Sequence, residues 1–320
     1  EKFNEALSIS TVMNDKNSMA KTMNSIAILY YITERLDEAL EYWLQAFTIA
    51  KEFDDKLKIS KYLNNIGIWY WKDFDYSKAI DYYNQSLVIK EELGDTRNYG
   101  KTLNNLGEVY YDMGDYTKSI DYFNQSILMK EKLNDNKGLN STLFNLAEAQ
   151  IYNTNYQDAL GTFKRSLTIS NTFGDIFQIS ERYLGIGMTY FNLTNYDSAS
   201  YYLGKADSIF LELPVERLST LSWLAITSMK DAQNVSAQNY IKMFDELFEQ
   251  IDPKRADIIS INWNMYQVHE LAGDKKSAKE YLENAYLEMK SHSKMIKNKA
   301  DRKQYLSVKL HKDILAHWDK

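Results

Sequence analysis

Histidine is the side chain most often used for proton transfer or metal binding near neutral pH. This chain has four, His269, His292, His311 and His317, all in its last sixth. Their spacing matches no zinc pattern such as HExxH. His311 and His317 are six apart, which puts them on different sides of a helix; the four read as solvent-facing or packing residues. There are no cysteines, which removes disulfides and thiolate metal sites. Gly185-Ile186-Gly187 looks like a fragment of a nucleotide-binding loop, but no strand precedes it and no Walker lysine follows. Paired carboxylates such as Glu91-Glu92 read as solvated helix ends, and no serine stands out as an activated nucleophile. The expectation is a non-enzymatic chain with no cofactor and no metal.

Binding chemistry is more visible. Lysine recurs at Lys21, Lys61 and Lys101, and asparagine follows at Asn24, at Asn64 and Asn65, at Asn104 and Asn105, and at Asn145. Ile68, Trp71, Glu108 and Glu148 continue the same stripe. Asparagine offers two donors and an acceptor, which suits the backbone of an extended peptide whatever its side chains. One such bond contributes about 1 kcal/mol net, so a ladder of several is needed. The competing role for Asn64 and Asn104 is to bridge adjacent structural units. The lysines suit an acidic ligand or a terminal carboxylate, whereas Glu108, Asp112 and Glu148 make the middle of the stripe acidic; the charge preference is bipolar.

The elements that must position this stripe are written as a repeat. In rows of forty residues, Met23, Leu63, Leu103, Leu143 and Tyr183 share a column, and Ile26, Ile66, Leu106, Leu146 and Ile186 follow three places on. The next place is always small: Ala27, Gly67, Gly107, Ala147 and Gly187. Spacings of three and four mark one face of a helix. The second half of each row repeats the device, with Ala39, Ala79, Ser119, Ala159 and Ala199 preceding Trp43, Tyr83, Phe123, Phe163 and Leu203. Large side chains can therefore interlock with small ones on a neighbouring helix. Rows end in Asn14-Asp15, Asp54-Asp55, Gly94-Asp95, Asn134-Asp135 and Gly174-Asp175. The first member tolerates the left-handed backbone that ends a helix, and the second caps the next. Asp75, Asp115, Asn155 and Asn195 are placed to cap the second helix of each pair.

The pattern Leu103-x-x-Leu106-Gly107-x-x-Tyr110, then Tyr116, Ser119, Phe123 and Ser126, resembles the tetratricopeptide repeat. It is similar to the long form seen in kinesin light chains, polarity adaptors and bacterial signalling proteins. The resemblance implies an all-α, right-handed superhelical solenoid of helical hairpins, with a concave groove that binds peptides. The Leu-Asn-Asn-Leu phrasing is similar to kinesin light chain repeats, where comparable asparagines hold cargo peptides. The full carboxylate clamp of chaperone-binding members is not matched, since Lys21 and Asn24 fall elsewhere in the motif.

The expected organisation is the second helix of a truncated repeat over 1–14, five regular hairpins over 15–213, two degenerate hairpins over 214–290, and a basic connector with a C-terminal capping helix over 291–320. Pro214 should begin a helix, and Pro253 should mark the second boundary. Tyr305, Leu306, Leu310, Ile314 and Leu315, with Trp318 at the end, read as the cap that a solenoid's last apolar face requires. The start at Glu1 suggests a fragment of something longer. A net charge of −6 gives no reason to expect nucleic acid, and no run of about 18 apolar residues suggests a membrane span. The sequence points to a protein or peptide partner, bound in the groove by the repeat module of a larger bacterial signalling protein; the expected compartment is the cytoplasm, with the periplasm still open. The alternative is a structural or oligomerisation scaffold that regulates a missing catalytic domain, so a homo-oligomer also stays open. Phosphatase-like regulators carrying such repeats would need an amino-terminal helical bundle, which this sequence does not show.

Overall fold

A computed structural model describes residues 2–251 and 257–319; the expected boundary at Pro253 lies outside them. Seventeen α-helices and no strand occur among the described residues. After α1 (Lys2–Val12) come five hairpins: α2 (Lys16–Ile32) with α3 (Leu36–Glu52), α4 (Lys56–Lys72) with α5 (Tyr76–Glu92), α6 (Thr96–Asp112) with α7 (Tyr116–Lys132), α8 (Asn136–Tyr152) with α9 (Tyr156–Phe173), and α10 (Ile176–Asn192) with α11 (Tyr196–Ile209). Then follow α12 (Pro214–Lys230) with α13 (Asn234–Phe248) and α14 (Ile258–Ala272) with α15 (Lys275–Met295), and finally the short α16 (Lys299–Tyr305) and α17 (Lys309–Trp318).

Local chemistry sets these boundaries. Asp15, Asp55, Asp95, Asp135 and Asp175 each accept a hydrogen bond from a backbone N–H three residues on. That satisfies one of the orphan donors of the helix start. The residues before them, Asn14, Asp54, Gly94, Asn134 and Gly174, all have φ between 49° and 66°. Asp75, Asp115 and Asn195 cap the second helices in the same way, whereas Asn155 makes no side-chain cap bond. Pro214 is the first residue of α12, where its missing N–H costs nothing.

The large and small columns interlock. A Cβ on Gly67 would stand 2.7 Å from the Tyr83 ring, one on Gly107 2.5 Å from Phe123, and one on Gly187 2.6 Å from Leu203. Tyr83, Phe123 and Leu203 are fully buried, so the paired helices lie as close as their side chains allow. The first helices also touch one another in series, α4 with α6, α6 with α8, α8 with α10, and α12 with both α10 and α14. They form the inner, concave layer.

The tail departs from expectation. α17 covers the last hairpin, with Trp318 stacked on Tyr286 at 4.5 Å. The basic segment before α17 packs against the array. α15 runs on to Met295, and Ile296–Val308 forms a strap that crosses to the mid-hairpin turns of the second and third repeats. The Lys297 backbone N–H donates to the Phe74 carbonyl at 3.1 Å, and Gln304 Nε2 donates to the Gly114 carbonyl at 3.1 Å. Ser77 Oγ donates to the carboxylate of buried Asp301 at 3.1 Å, and Lys297 Nζ pairs with Asp73 at 3.1 Å. Ile296, Tyr305 and Val308 are buried, and one apolar cluster joins Tyr76, Tyr83 and Leu106 to Met289, Ile296 and Tyr305. Through these contacts the strap ties the last hairpin to the second and third repeats.

Candidate functional site

The asparagine stripe lies on the inner layer, where each hairpin engages the next. Asn65 Nδ2 donates to Asn24 Oδ1 at 2.9 Å, and Asn105 Nδ2 to Asn64 Oδ1 at 3.4 Å. Thr102 and Thr142 hydroxyls donate to the carbonyls of Asn64 and Asn104, at 2.8 and 2.6 Å. Asn104 and Asn145 each donate to Glu108 Oε1 at 2.9 Å. Trp71 Nε1 donates to Asp112 at 2.7 Å. Asn24 is only 4% exposed; the Asn65 amide covers it, so it supports the wall rather than facing a ligand. Lys21, Lys61 and Lys101 are exposed, Ile68 and Trp71 are half-buried, and Asn64, Asn65, Asn104, Asn105 and Asn145 keep partial access.

Behind this ladder stand two residues that pattern reading passed over. Lys90 and Lys130, on second helices, are buried and donate to the hydroxyls of Thr102 and Thr142. Burial pushes both ammonium groups down to about 8. One repeat later the polarity is exchanged: Ser170 takes the lysine position and Arg182 the threonine position, with Arg182 Nε donating to Ser166 Oγ at 3.0 Å. The signal in the sequence was a lysine in a column whose other members, Ser10, Ala50, Ser170 and Phe210, carry no charge.

The concave face is open along a cleft of three compartments. A cavity of about 300 Å³ lies between α8, α10 and α12, and one of about 360 Å³ continues towards α14 and α17. The third, about 540 Å³, lies between α6 and α8 on one side and α15, the strap and α17 on the other. Tyr152 borders all three, and Tyr111, Tyr116 and Tyr152 pack with ring centroids 5.4–5.7 Å apart.

The cleft is acidic and its acids are perturbed. Burial, reinforced by Glu181 and Asp257 and opposed by Arg182, pushes the Glu148 carboxyl up to about 8. Burial also raises Asp112 to about 6, with Glu108 adding to it and the Trp71 hydrogen bond and Lys72 opposing. Glu108 and Glu181 are raised by burial too. Such raised acids mark carboxyls taken out of water, where the neutral form is favoured. Among the described residues, no group of three or more His, Asp or Glu side chains is gathered to hold a metal ion, and no helix is long and apolar enough to cross a membrane. The four histidines pack on aromatic rings: His269 on Tyr281, His292 between Phe74 and Tyr305, His311 on Tyr305, and His317 on Trp263 and Tyr266.

Comparison with known proteins agrees with this architecture. Residues 18–92 and 98–172 match the family described as tetratricopeptide repeat. Those residues are therefore tetratricopeptide repeats of the long kind, and the interlocked forty-residue hairpins continue beyond them. The apo form of RapI superposes with a TM-score of 0.64 at 17% identity, covering 81% of this chain and 97% of that one. A Rap protein complexed with competence and sporulation factor gives 0.58 at 16% identity, covering 99% and 96%. The signal transduction ATPase PH0952 of Pyrococcus horikoshii, which has a tetratricopeptide repeat sensor, gives 0.66 at 16% identity over 85% of this chain and 42% of that one. At such identities the likeness is one of fold. No curated protein matches the sequence as a relative.

Proposed function

We propose that this chain is a protein-interaction module that holds an extended segment of a partner polypeptide along its concave cleft, as part of a larger bacterial signalling or regulatory protein. The observation that carries the reading is the continuity of the three compartments past Tyr152, lined on the first-helix side by Glu148 and, in the third compartment, by Asp112. An extended chain needs a long surface with repeated polar partners, and stacked first helices supply both. The Rap protein bound to competence and sporulation factor gives a precedent for ligand binding on this fold. Lys61 and Lys101 on the rim and Ile68 and Trp71 on the wall would meet the ends of the segment.

Selection of peptides from a random library on the immobilised chain tests this. Selected peptides should lose binding, by tenfold or more, to Tyr152→Ala with unchanged circular dichroism, and keep it with Val88→Ala on the outer face, where Val88 is 57% exposed. The reverse pattern would overturn the assignment of the groove.

A further inference from the structure

The strap between α15 and α17 sits on a seat that both holds it and works against it. Ile296, Tyr305 and Val308 bury their side chains there, which favours docking. The polar contacts are poorer. Asp301 is buried, and among the described residues its carboxylate accepts one side-chain hydrogen bond, from Ser77 Oγ. Burial pushes that carboxyl up from its ordinary range; the Ser77 bond opposes the rise and Asp75 adds to it. Arg302 donates through Nη2 to the Ile296 carbonyl at 2.7 Å. Its buried Nε has no acceptor among the described residues, and neither does the buried hydroxyl of Tyr76, which shares an apolar cluster with Ile296 and Tyr305, have a partner there. Each such group offsets part of what the apolar contacts contribute. The Lys297–Asp73 pair lies open to water, where an ion pair contributes little.

The geometry of the two ends lets this segment move by itself. Ile296 leaves α15 in extended backbone at φ −63° and ψ 117°, and Val308 enters α17 in extended backbone at φ −67° and ψ 155°. Between them α16 has seven residues, too few to persist as a helix without tertiary contacts. α17 is anchored independently, through Trp318 stacked on Tyr286 of α15. A lifted strap would therefore stay tethered at both ends to the last hairpin. What it would uncover is the third compartment, where Tyr305 and Val308 form one wall and Asp112 and Glu148 line the first-helix side.

We propose that Ile296–Val308 is a gate: it hinges at its two extended ends, lifts from the turns of the second and third repeats, admits a partner segment to the third compartment, and docks again over it. A segment that touches Tyr305 and Val308 binds the docked state better than the lifted one, so its arrival favours closure. The gate deepens the reading of the cleft as a holder of extended segments, and rests on that reading for what enters.

Hydrogen exchange on the full chain reads the opening without any ligand. The amide of Lys297, bonded to the Phe74 carbonyl, and the amides of 302–308 should exchange about a hundredfold faster than those in the middle of α6. Asp301→Asn keeps an acceptor for Ser77 Oγ and removes a group that is charged in water, so exchange in the strap should slow by roughly tenfold. Gly114→Ala, whose added methyl meets Val308, should speed it. Strap amides that exchange no faster than α6 overturn the gate. Access is the second readout: Asp112→Cys gives this cysteine-free chain a single thiol in the compartment, and its rate of modification by a maleimide-polyethylene glycol should fall with Asp301→Asn and rise with Gly114→Ala. A modification rate indifferent to both substitutions overturns the gate. Peptides selected on the parent chain should associate more slowly with Asp301→Asn, and association that ignores both substitutions again counts against it. Strap exchange and thiol access that move together while no peptide is selected support the gate and sink the peptide-holding reading.

Discussion

Gly114 offers the sharpest test of the strap. It sits in the turn between α6 and α7 with φ +77°, and a Cβ there would collide with Val308 Cγ1, while Val308 Cβ would lie at 3.7 Å. Gly114→Ala therefore has two costs. Left-handed backbone costs an alanine roughly 1–2 kcal/mol, and forcing a methyl into a packed contact costs about 1–3 kcal/mol more. Other turns of the same type hold Glu34, Thr154 and Thr194 at φ 59–64°, so the backbone cost alone is tolerated in this fold. Val308→Ala removes the colliding methyl and leaves ordinary contact, at a cost of about 1.6 kcal/mol for two buried methyl groups. The double substitution should be less destabilising than the sum of the singles by about 1–3 kcal/mol. Urea denaturation gives the four free energies, and amide exchange across residues 296–310 reports whether the strap has lifted in Gly114→Ala alone. Additivity within about 0.3 kcal/mol, with unchanged exchange in the strap, would refute the docking geometry.

Three further outcomes follow from the packing and the charges. Gly107→Ala should destabilise by about 1–2 kcal/mol, an overpacking cost partly offset by better helix propensity; Gly161→Ala and Gly204→Ala, with nothing within 4 Å of the added Cβ, should each stabilise by roughly 0.5–1 kcal/mol in the same thermal melts. Glu148 holds its proton more tightly folded, with its carboxyl up at about 8, than in the unfolded chain near its ordinary value. Stability contributed by this group is therefore full at low pH and declines as pH rises towards 8; Glu148→Gln should flatten that decline and raise stability at pH 8 by on the order of 1–2 kcal/mol. Lys90 and Lys130 are depressed to about 8 when folded, so folding costs least where they are neutral. Stability should climb from pH 8 towards 10 in the parent, and Lys90→Met with Lys130→Met should lose that climb in pH-resolved denaturation.

The sequence alone carried the repeat, the capping residues and the pairing of large with small side chains, because each depends on neighbours at a constant interval. Phe123 over Gly107 and Asp95 capping α6 are contacts within one hairpin or between adjacent ones, and identical units make them at each step. It also placed Asn64, Asn65, Asn104, Asn105 and Asn145 on the inner face, but not how their amides would be spent, since that turns on which hydroxyl or carboxylate the next hairpin presents. Lys90 and Lys130 look like surface residues of an amphipathic helix until the following hairpin closes over them. The strap was decided by tertiary structure alone: the superhelical curvature brings Phe74 and Gly114 opposite Lys297 and Val308, about two hundred residues away along the chain. No periodic pattern encodes a contact between a repeat and a segment outside the array, and the one written trace is glycine at a turn where the other repeats accept side chains. The acidic cavity is likewise a product of closure, because its carboxylates come from separate hairpins and become neighbours only when the curved stack and its strap bring them together.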